Sequence, residues 1–327
     1  MDIFSGLNDK QKQAVQHTDG PLLIVAGAGA GKTKTLTHRI AHLVQNGVEP
    51  NTILAITFTN KAAKEMQDRV EMLLEKSNKA HGTERLFNKP FVSTFHALGV
   101  HILRHSGSSI NVSRHFTILD QAEALAATKE AIKLSNLDPK QYEPRKIHTI
   151  ISSQKNNLVS RELFEGQAEH YFHEIVADVW EKYEKILTER KALDFDDLLL
   201  KTVNLLQQYP AIQKHYQQTW RYIHIDEYQD TNTVQYELSR LLADSTKNIC
   251  VVRDNNQNIY SWKEKKKKNM LHFEHDYPDA TTVLLEQNYR STQKILDAAN
   301  QIIQKNTYRV EKNLFTQNNE GESIALF

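Results

Sequence analysis

Residues 22–33 read Leu22-Leu23-Ile24-Val25-Ala26-Gly27-Ala28-Gly29-Ala30-Gly31-Lys32-Thr33. An apolar run gives way to alternating glycine and alanine, then to Lys32-Thr33 and an amphipathic pattern over 34–44. A short, continuous apolar run suits a strand buried on both faces. A glycine-rich turn lets backbone N–H groups surround phosphate oxygens, and a helix starting there points its positive end at them. In that setting Lys32 reaches the outer phosphates and Thr33 ligates Mg²⁺. The strict pattern has glycine where Ala26 stands, but Gly27, Gly29 and Gly31 supply the flexibility. The candidate cradle spans Ala26, Gly27, Ala28, Gly29, Ala30, Gly31, Lys32 and Thr33, with Lys34 just inside the helix. A small-residue turn without a ligand is the bland alternative, and the strand–loop–helix context weighs against it.

Five more β-rich apolar runs follow, at 53–57, 91–94, 222–225, 249–252 and 282–285. Amphipathic segments at 61–74, 234–242 and 293–303 alternate with them, which predicts an α/β domain with a doubly wound parallel sheet. The stretch from 99 to 216 breaks this rhythm with helical periodicity at 121–134, 171–187 and 195–206. Asp194 is placed to cap the last of these, with Asp197 three residues on, while Pro139 and Pro144 act as breakers. Residues 99–216 are therefore expected to form a helical domain inserted between the third and fourth strands.

With 41 basic and 40 acidic residues the formal charge is +1, so any nucleic-acid footprint must be local. The only cysteine, Cys250, lies in a strand-like run; a disulfide within the chain is impossible, and a reduced, cytoplasmic setting is expected. No signal peptide or membrane span is visible. The 15 histidines show no ligand spacing beside cysteine or carboxylate clusters. The lysine-rich run at 263–268 reads as a solvated surface.

Tyr222-Ile223-His224-Ile225-Asp226-Glu227 is a second chemical signal. A buried strand ending in two carboxylates projects Asp226 towards a cation and leaves Glu227 to orient and deprotonate water. Alone it would read as an ordinary surface loop; after a phosphate-binding loop it reads as the other half of a site, because phosphoryl transfer needs metal and water placed together.

The longer run Asp226-Glu227-Tyr228-Gln229-Asp230-Thr231-Asn232 resembles the Walker B motif of superfamily 1 DNA helicases, in the PcrA/UvrD/Rep group. Leu7-Asn8-Asp9-Lys10-Gln11 is similar to that family's Q motif, residues 57–63 to its motif Ia, and Ser93-Thr94-Phe95-His96 to the next DNA-contacting motif. Leu193-Asp194-Phe195-Asp196-Asp197-Leu198 and Gln287-Asn288-Tyr289-Arg290-Ser291 complete the series, and the likeness runs from Leu7 onward. It implies a RecA-like ATP-binding lobe over 1–98 and 217–285, the helical insertion over 99–216, and the start of a second RecA-like lobe over 286–327. It further implies ATP hydrolysis with Mg²⁺, translocation along single-stranded DNA from three-prime to five-prime, and duplex unwinding. Gln11 would read the adenine edge, Tyr289 would stack on adenine, Arg290 would act as an arginine finger, and Arg39 would touch the nucleotide. Thr33 and Asp226 would hold the metal. Phe58, Tyr260 and Trp262 would stack on bases, with Thr59, Asn60, Thr94 and His96 along the DNA backbone.

Two features depart from the family. Residues 252–265 align with its motif III and keep Gln257, Tyr260 and Trp262, but Arg253 replaces glycine, Asn256 aspartate and Lys263 arginine. Gln257 is the catalytic candidate of this motif, which links the γ-phosphate to DNA. Arg253 is expected to crowd a backbone that needed room or a positive φ. The second departure is length: the family's later motifs, V and VI, have no counterpart here. The expected partners are single-stranded DNA, single-strand/duplex junctions, and a C-terminal lobe in cis or trans; the 327 residues alone are expected to turn ATP over slowly and not to unwind. A non-catalytic nucleotide- or DNA-binding module with an uncoupled motif III is the rival reading. Retention of Lys32, Asp226, Glu227 and Arg290 favours the enzyme.

Overall fold

The computed structural model describes residues 2–81, 88–167, 170–254, 273–304 and 314–325. Its strands are β1 (Leu22–Ala26), β2 (Ile53–Thr57), β3 (Phe91–Thr94), β4 (Thr117–Ile118), β5 (Ala192–Leu193), β6 (Tyr222–Ile225), β7 (Ile249–Arg253), β8 (Thr281–Leu285), β9 (Gln287–Asn288) and β10 (Phe315–Thr316). Six of them form one sheet in the order β3-β2-β6-β7-β1-β8, every neighbouring pair parallel. These six are the strands expected from the apolar runs. Every residue of β1, β2, β6 and β7 is buried, which is why those strands read as unbroken rather than alternating patterns.

The strand order decides where chemistry can occur. β7 lies between β1 and β6, so the loops leaving these three strands emerge side by side at the carboxyl edge of the sheet. Hydrogen bonds from Gly27 N–H to the Leu285 carbonyl (3.2 Å) and from Asp226 N–H to the Ile56 carbonyl (3.0 Å) hold that edge in register.

The chain divides into two compact units. One comprises Met1–Thr94, Tyr216–Thr231 and Ala243–Phe327; the other comprises Phe95–His215 and Asn232–Leu242. The first unit contains the large sheet, flanked by α1 (Asp9–Gln16), α2 (Lys32–Gln45) and α3 (Asn60–His81), over a core that includes Leu22, Ile24, Leu36, Ile40, Ile53 and Val252. Described residues beyond 286, with the parallel pair β9–β10 and the helix Gln293–Gln304, group with this unit.

The second unit is helical. The expected helices stand at Gln121–Leu134, Tyr171–Glu189 and Phe195–Gln208, and Asp194 caps the last by accepting from the Asp197 N–H at 2.7 Å. Pro144 opens the helix Pro144–Asn156 instead of only ending its predecessor, because its fixed φ and missing N–H suit a first helical turn. The small parallel pair β4–β5 also belongs here; two-residue strands carry no periodicity for a sequence to show. The core packs Trp180, Tyr183, Val176, Ile147 and Ala131. Among the described residues no helix is long and apolar enough to cross a membrane.

Candidate nucleotide site

The turn after β1 delivers Lys32 and Thr33 at the first positions of α2, and β6 delivers Asp226 and Glu227 at its carboxyl end. They meet. Thr33 Oγ1 donates to Asp226 Oδ2 at 2.9 Å, and Lys32 Nζ donates to Glu227 Oε2 at 2.9 Å. Lys32 Nζ also lies 3.9 Å from Asp254 Oδ2, just beyond β7. Burial raises the Asp226 pKa above the ordinary carboxylate range; the neighbouring Glu227 pushes the same way, and the Thr33 hydroxyl only partly offsets them. A cation beside Asp226 would reverse that penalty.

Glu227 sits in the left-handed region (φ 51°), uncommon for a side chain of its size. Its N–H donates back to Asp226 Oδ1 at 2.9 Å, which ties the strained residue to the strand it leaves. Gln229, which the sequence did not single out, donates from Nε2 to Glu227 Oε2 and accepts at Oε1 from the Asp254 N–H (3.0 Å). Glu227 is thereby linked to the end of β7.

A second group approaches the turn from residues 287–291. Asn288, almost fully buried, donates from Nδ2 to the Ala28 carbonyl at 2.6 Å and accepts at Oδ1 from the Arg290 and Ser291 N–H groups. The Tyr289 N–H donates to the Gly29 carbonyl at 2.9 Å. Tyr289 and Arg290 are exposed beside the glycine-rich turn. Gln11 is buried, with Nε2 donating to the Ala30 carbonyl at 3.1 Å. Lys34 Nζ reaches the Gly6 carbonyl at 2.6 Å. Asn288, like Gln229, is a positioning residue that sequence reasoning passed over within a motif it had quoted, because only its neighbours carried an expected role.

Arg39 is not brought to the site. Its guanidinium is buried in the core, donating to the Ala14 (3.4 Å) and Thr18 (3.2 Å) carbonyls, and burial lowers its pKa. Seven residues into α2, it faces inward beside Cys250, whose thiol burial pushes up to about 11.

At the end of β2, Phe58 is half-buried while Thr59 and Asn60 are exposed. Thr59 Oγ1 accepts from the Ala62 N–H at 3.1 Å, so that hydroxyl also starts α3. Thr94 ends β3 and is buried in the sheet unit. His96 belongs to the helical unit, edge-on to Phe195, its pKa lowered by burial. Arg253 corrects an expectation: β7 runs through it without a positive φ, and its side chain turns inward to Glu274 at 3.2 Å. The backbone therefore needs no glycine there. Gln257, Tyr260, Trp262 and the lysine run at 263–268 lie outside the described residues.

A family model described as the UvrD/REP helicase N-terminal domain matches residues 7–278. The chain belongs to the UvrD/REP helicase family. The UvrD-like helicase C-terminal domain model matches residues 283–327. Relatives named ATP-dependent DNA helicase PcrA align over 326 residues, 99% of this chain. Those of Bacillus subtilis (strain 168) and Leuconostoc citreum are 48% and 49% identical, with 43% and 42% of their own lengths covered. That of Staphylococcus epidermidis is 45% identical, with 44% covered. The chain thus spans less than half the length of the curated relatives it matches. Within the UvrD/REP family the six-stranded parallel sheet flanked by helices is a RecA-like fold.

Proposed function

We propose that the sheet unit is the ATP site of a DNA helicase motor, hydrolysing ATP to move along single-stranded DNA from three-prime to five-prime and to open single-strand/duplex junctions. The observation that carries the reading is the convergence of Lys32 and Thr33 with Asp226 and Glu227 through two 2.9 Å hydrogen bonds. Such a site needs a phosphate-binding cation, a metal ligand and a base within one hydrogen-bonded cluster. The relatives' common name, ATP-dependent DNA helicase, supports the same reading.

Among the described residues no group of three or more His, Cys, Asp or Glu side chains could hold a metal alone. Thr33 Oγ1 and Asp226 Oδ2 fit a Mg²⁺ ion that takes few protein oxygens and shares substrate phosphates and water. Such an ion would neutralise developing charge on the phosphates. Lys32 would exchange Glu227 for the outer phosphates, releasing Glu227 to deprotonate the attacking water. Arg290 would bring positive charge to the γ-phosphate, and Gln257 would tie that phosphate to DNA. Phe58, Thr59, Asn60, Thr94, His96, Tyr260 and Trp262 would contact the strand. We assign residues 286–327 to the opening of a second RecA-like lobe, which the C-terminal family match supports; further C-terminal motifs, in cis or in trans, would complete the motor.

ATP binding and hydrolysis by variants test the site. Lys32→Ala should abolish Mg-ATP binding. Glu227→Gln should bind normally and lose about 10²–10⁴-fold in turnover, the usual worth of a general base. Parental hydrolysis by Glu227→Gln would remove Glu227 from that role.

A further inference from the structure

We infer that Asn8 is a positioning residue of the nucleotide site, holding Tyr289 by its hydroxyl so that the aromatic face is set before a base arrives. The inference rests on the ATP reading above and deepens it.

Asn8 performs two separable tasks. As N-cap of α1 its Oδ1 accepts from the Gln11 N–H at 2.8 Å, and Gln11 Oε1 returns the bond by accepting from the Asn8 N–H at 3.0 Å. That reciprocal cap uses only the side-chain oxygen, and serine or aspartate would serve it equally well. The amide nitrogen is free for something else. It donates to Tyr289 Oη at 2.8 Å and to Gln287 Oε1 at 3.1 Å, while Tyr289 Oη itself donates to Gln287 Oε1 at 3.0 Å. Three polar atoms from opposite ends of the chain thus form a closed ring of hydrogen bonds.

The consequence falls on Tyr289. Its backbone N–H is held by the Gly29 carbonyl and its hydroxyl by Asn8, yet the residue remains 47% exposed. An aromatic residue pinned at both ends with surface still open is a platform whose rotamer freedom is lost before binding and not during it. Gln11, engaged with the Ala30 carbonyl, ties the same frame to the phosphate-binding loop. Of the usual N-cap residues, only asparagine both accepts from the helix and offers two donors to a distant tyrosine and glutamine.

The inference predicts that Asn8 contributes to base affinity and not to phosphate affinity. Calorimetric titration of the whole 327-residue chain with Mg-ATP and with Mg-tripolyphosphate tests it. Tyr289→Ala should weaken ATP about tenfold through lost stacking. Asn8→Ser keeps the cap, removes the two amide donors and leaves only a shorter hydroxyl; it should weaken ATP about three- to tenfold, the worth of one or two hydrogen bonds, and leave tripolyphosphate within about twofold. In the Tyr289→Ala background Asn8→Ser should add little further loss. Asn8→Thr, which also caps through a hydroxyl on a side chain shorter than asparagine's, should behave as Asn8→Ser does and serves if the serine variant melts early. Parental ATP affinity in Asn8→Ser, an equal loss for tripolyphosphate, or full additivity with Tyr289→Ala would each overturn the inference. A parent chain that binds neither ligand would instead sink the nucleotide reading, and this inference with it.

Discussion

Gly31 is the N-cap of α2 with φ +77°, and a Cβ added there would lie 2.7 Å from Gln11 Nε2. Gly20 has a similar φ of +80° but nothing within 4 Å of an added Cβ. The two positions separate backbone strain from steric conflict. Gly20→Ala should cost about 1–2 kcal/mol, the left-handed penalty alone, and leave ATP affinity unchanged. Gly31→Ala should carry that cost and also displace Gln11, weakening ATP binding. Urea unfolding and ATP titration of both variants check this; equal ATP affinity in the two would mean that Gln11 yields freely. At this scale Lys32, Thr33, Asp226 and Glu227 were legible because each stands at a fixed place in a motif with known chemistry. Arg39 was misjudged because a charged residue on a helix after a phosphate-binding loop carries no sign of which face it occupies. It lies on the core face, bonded to two carbonyls.

Between elements, the helical unit is joined by a buried charge cluster. Lys155 on Pro144–Asn156 donates to Asp194 Oδ2 at 2.8 Å and lies 2.9 Å from Asp197 Oδ1, both at the start of Phe195–Gln208. Tyr183 donates to the same Asp194 oxygen at 2.9 Å. Burial, the largest single influence, pushes the Asp194 carboxyl up, but the Lys155 ammonium together with hydrogen bonds from Lys155, the Asp197 N–H and Tyr183 holds the group below its ordinary 3.8. Burial would likewise lower Lys155, and the two aspartates hold it well above 10.5. By linkage, the depressed aspartate stabilises the unit above its unfolded pKa and ceases to do so as pH falls through its folded one. The raised lysine stabilises below 10.5 and ceases as pH rises through its folded value. This contribution should therefore be constant from about pH 4 to pH 10 and shrink outside that window. Asp194→Ala removes a cap and breaks the pair, and should cost about 3–5 kcal/mol at pH 7. Urea unfolding followed by tryptophan fluorescence tests it; a midpoint unchanged at pH 7 would show that Asp197 alone suffices. The Leu-Asp-Phe-Asp-Asp motif was recognisable as a motif, but its partner Lys155 was not, since 39 residues separate it from Asp194.

Across the whole molecule, His17, His38, His42, His96, His101, His148 and His224 all have lowered pKa values, with burial the leading cause in each. Their folded values lie below the unfolded 6.5, so the unfolded chain binds more protons as pH falls past that point. The stability they contribute is present above about pH 6.5 and is lost on acidification. Thermal melts should shift down between pH 7.5 and pH 5.5, and unfolding near pH 6 should take up protons. Net proton release on unfolding near pH 6, measured in buffers of different ionisation enthalpy, would contradict this. These seven histidines are packed side chains, held wholly or partly away from water.

The six large-sheet strands and the main helices were determined by the sequence itself, because a strand buried on both faces and an amphipathic helix each leave a local pattern. The two halves of the candidate site were likewise visible as short, contiguous motifs. Tertiary structure alone decided the strand order that sets β7 between β1 and β6, and with it the meeting of Lys32 with Glu227 and Thr33 with Asp226. It also decided that Asn8 would hold Tyr289, that Asn288 would grip the Ala28 carbonyl, and that Arg39 would turn inward. Periodicity records only which face of an element is buried. Which buried faces and strand ends become neighbours depends on closure of long loops and on packing of the whole core, and no local stretch of sequence encodes that.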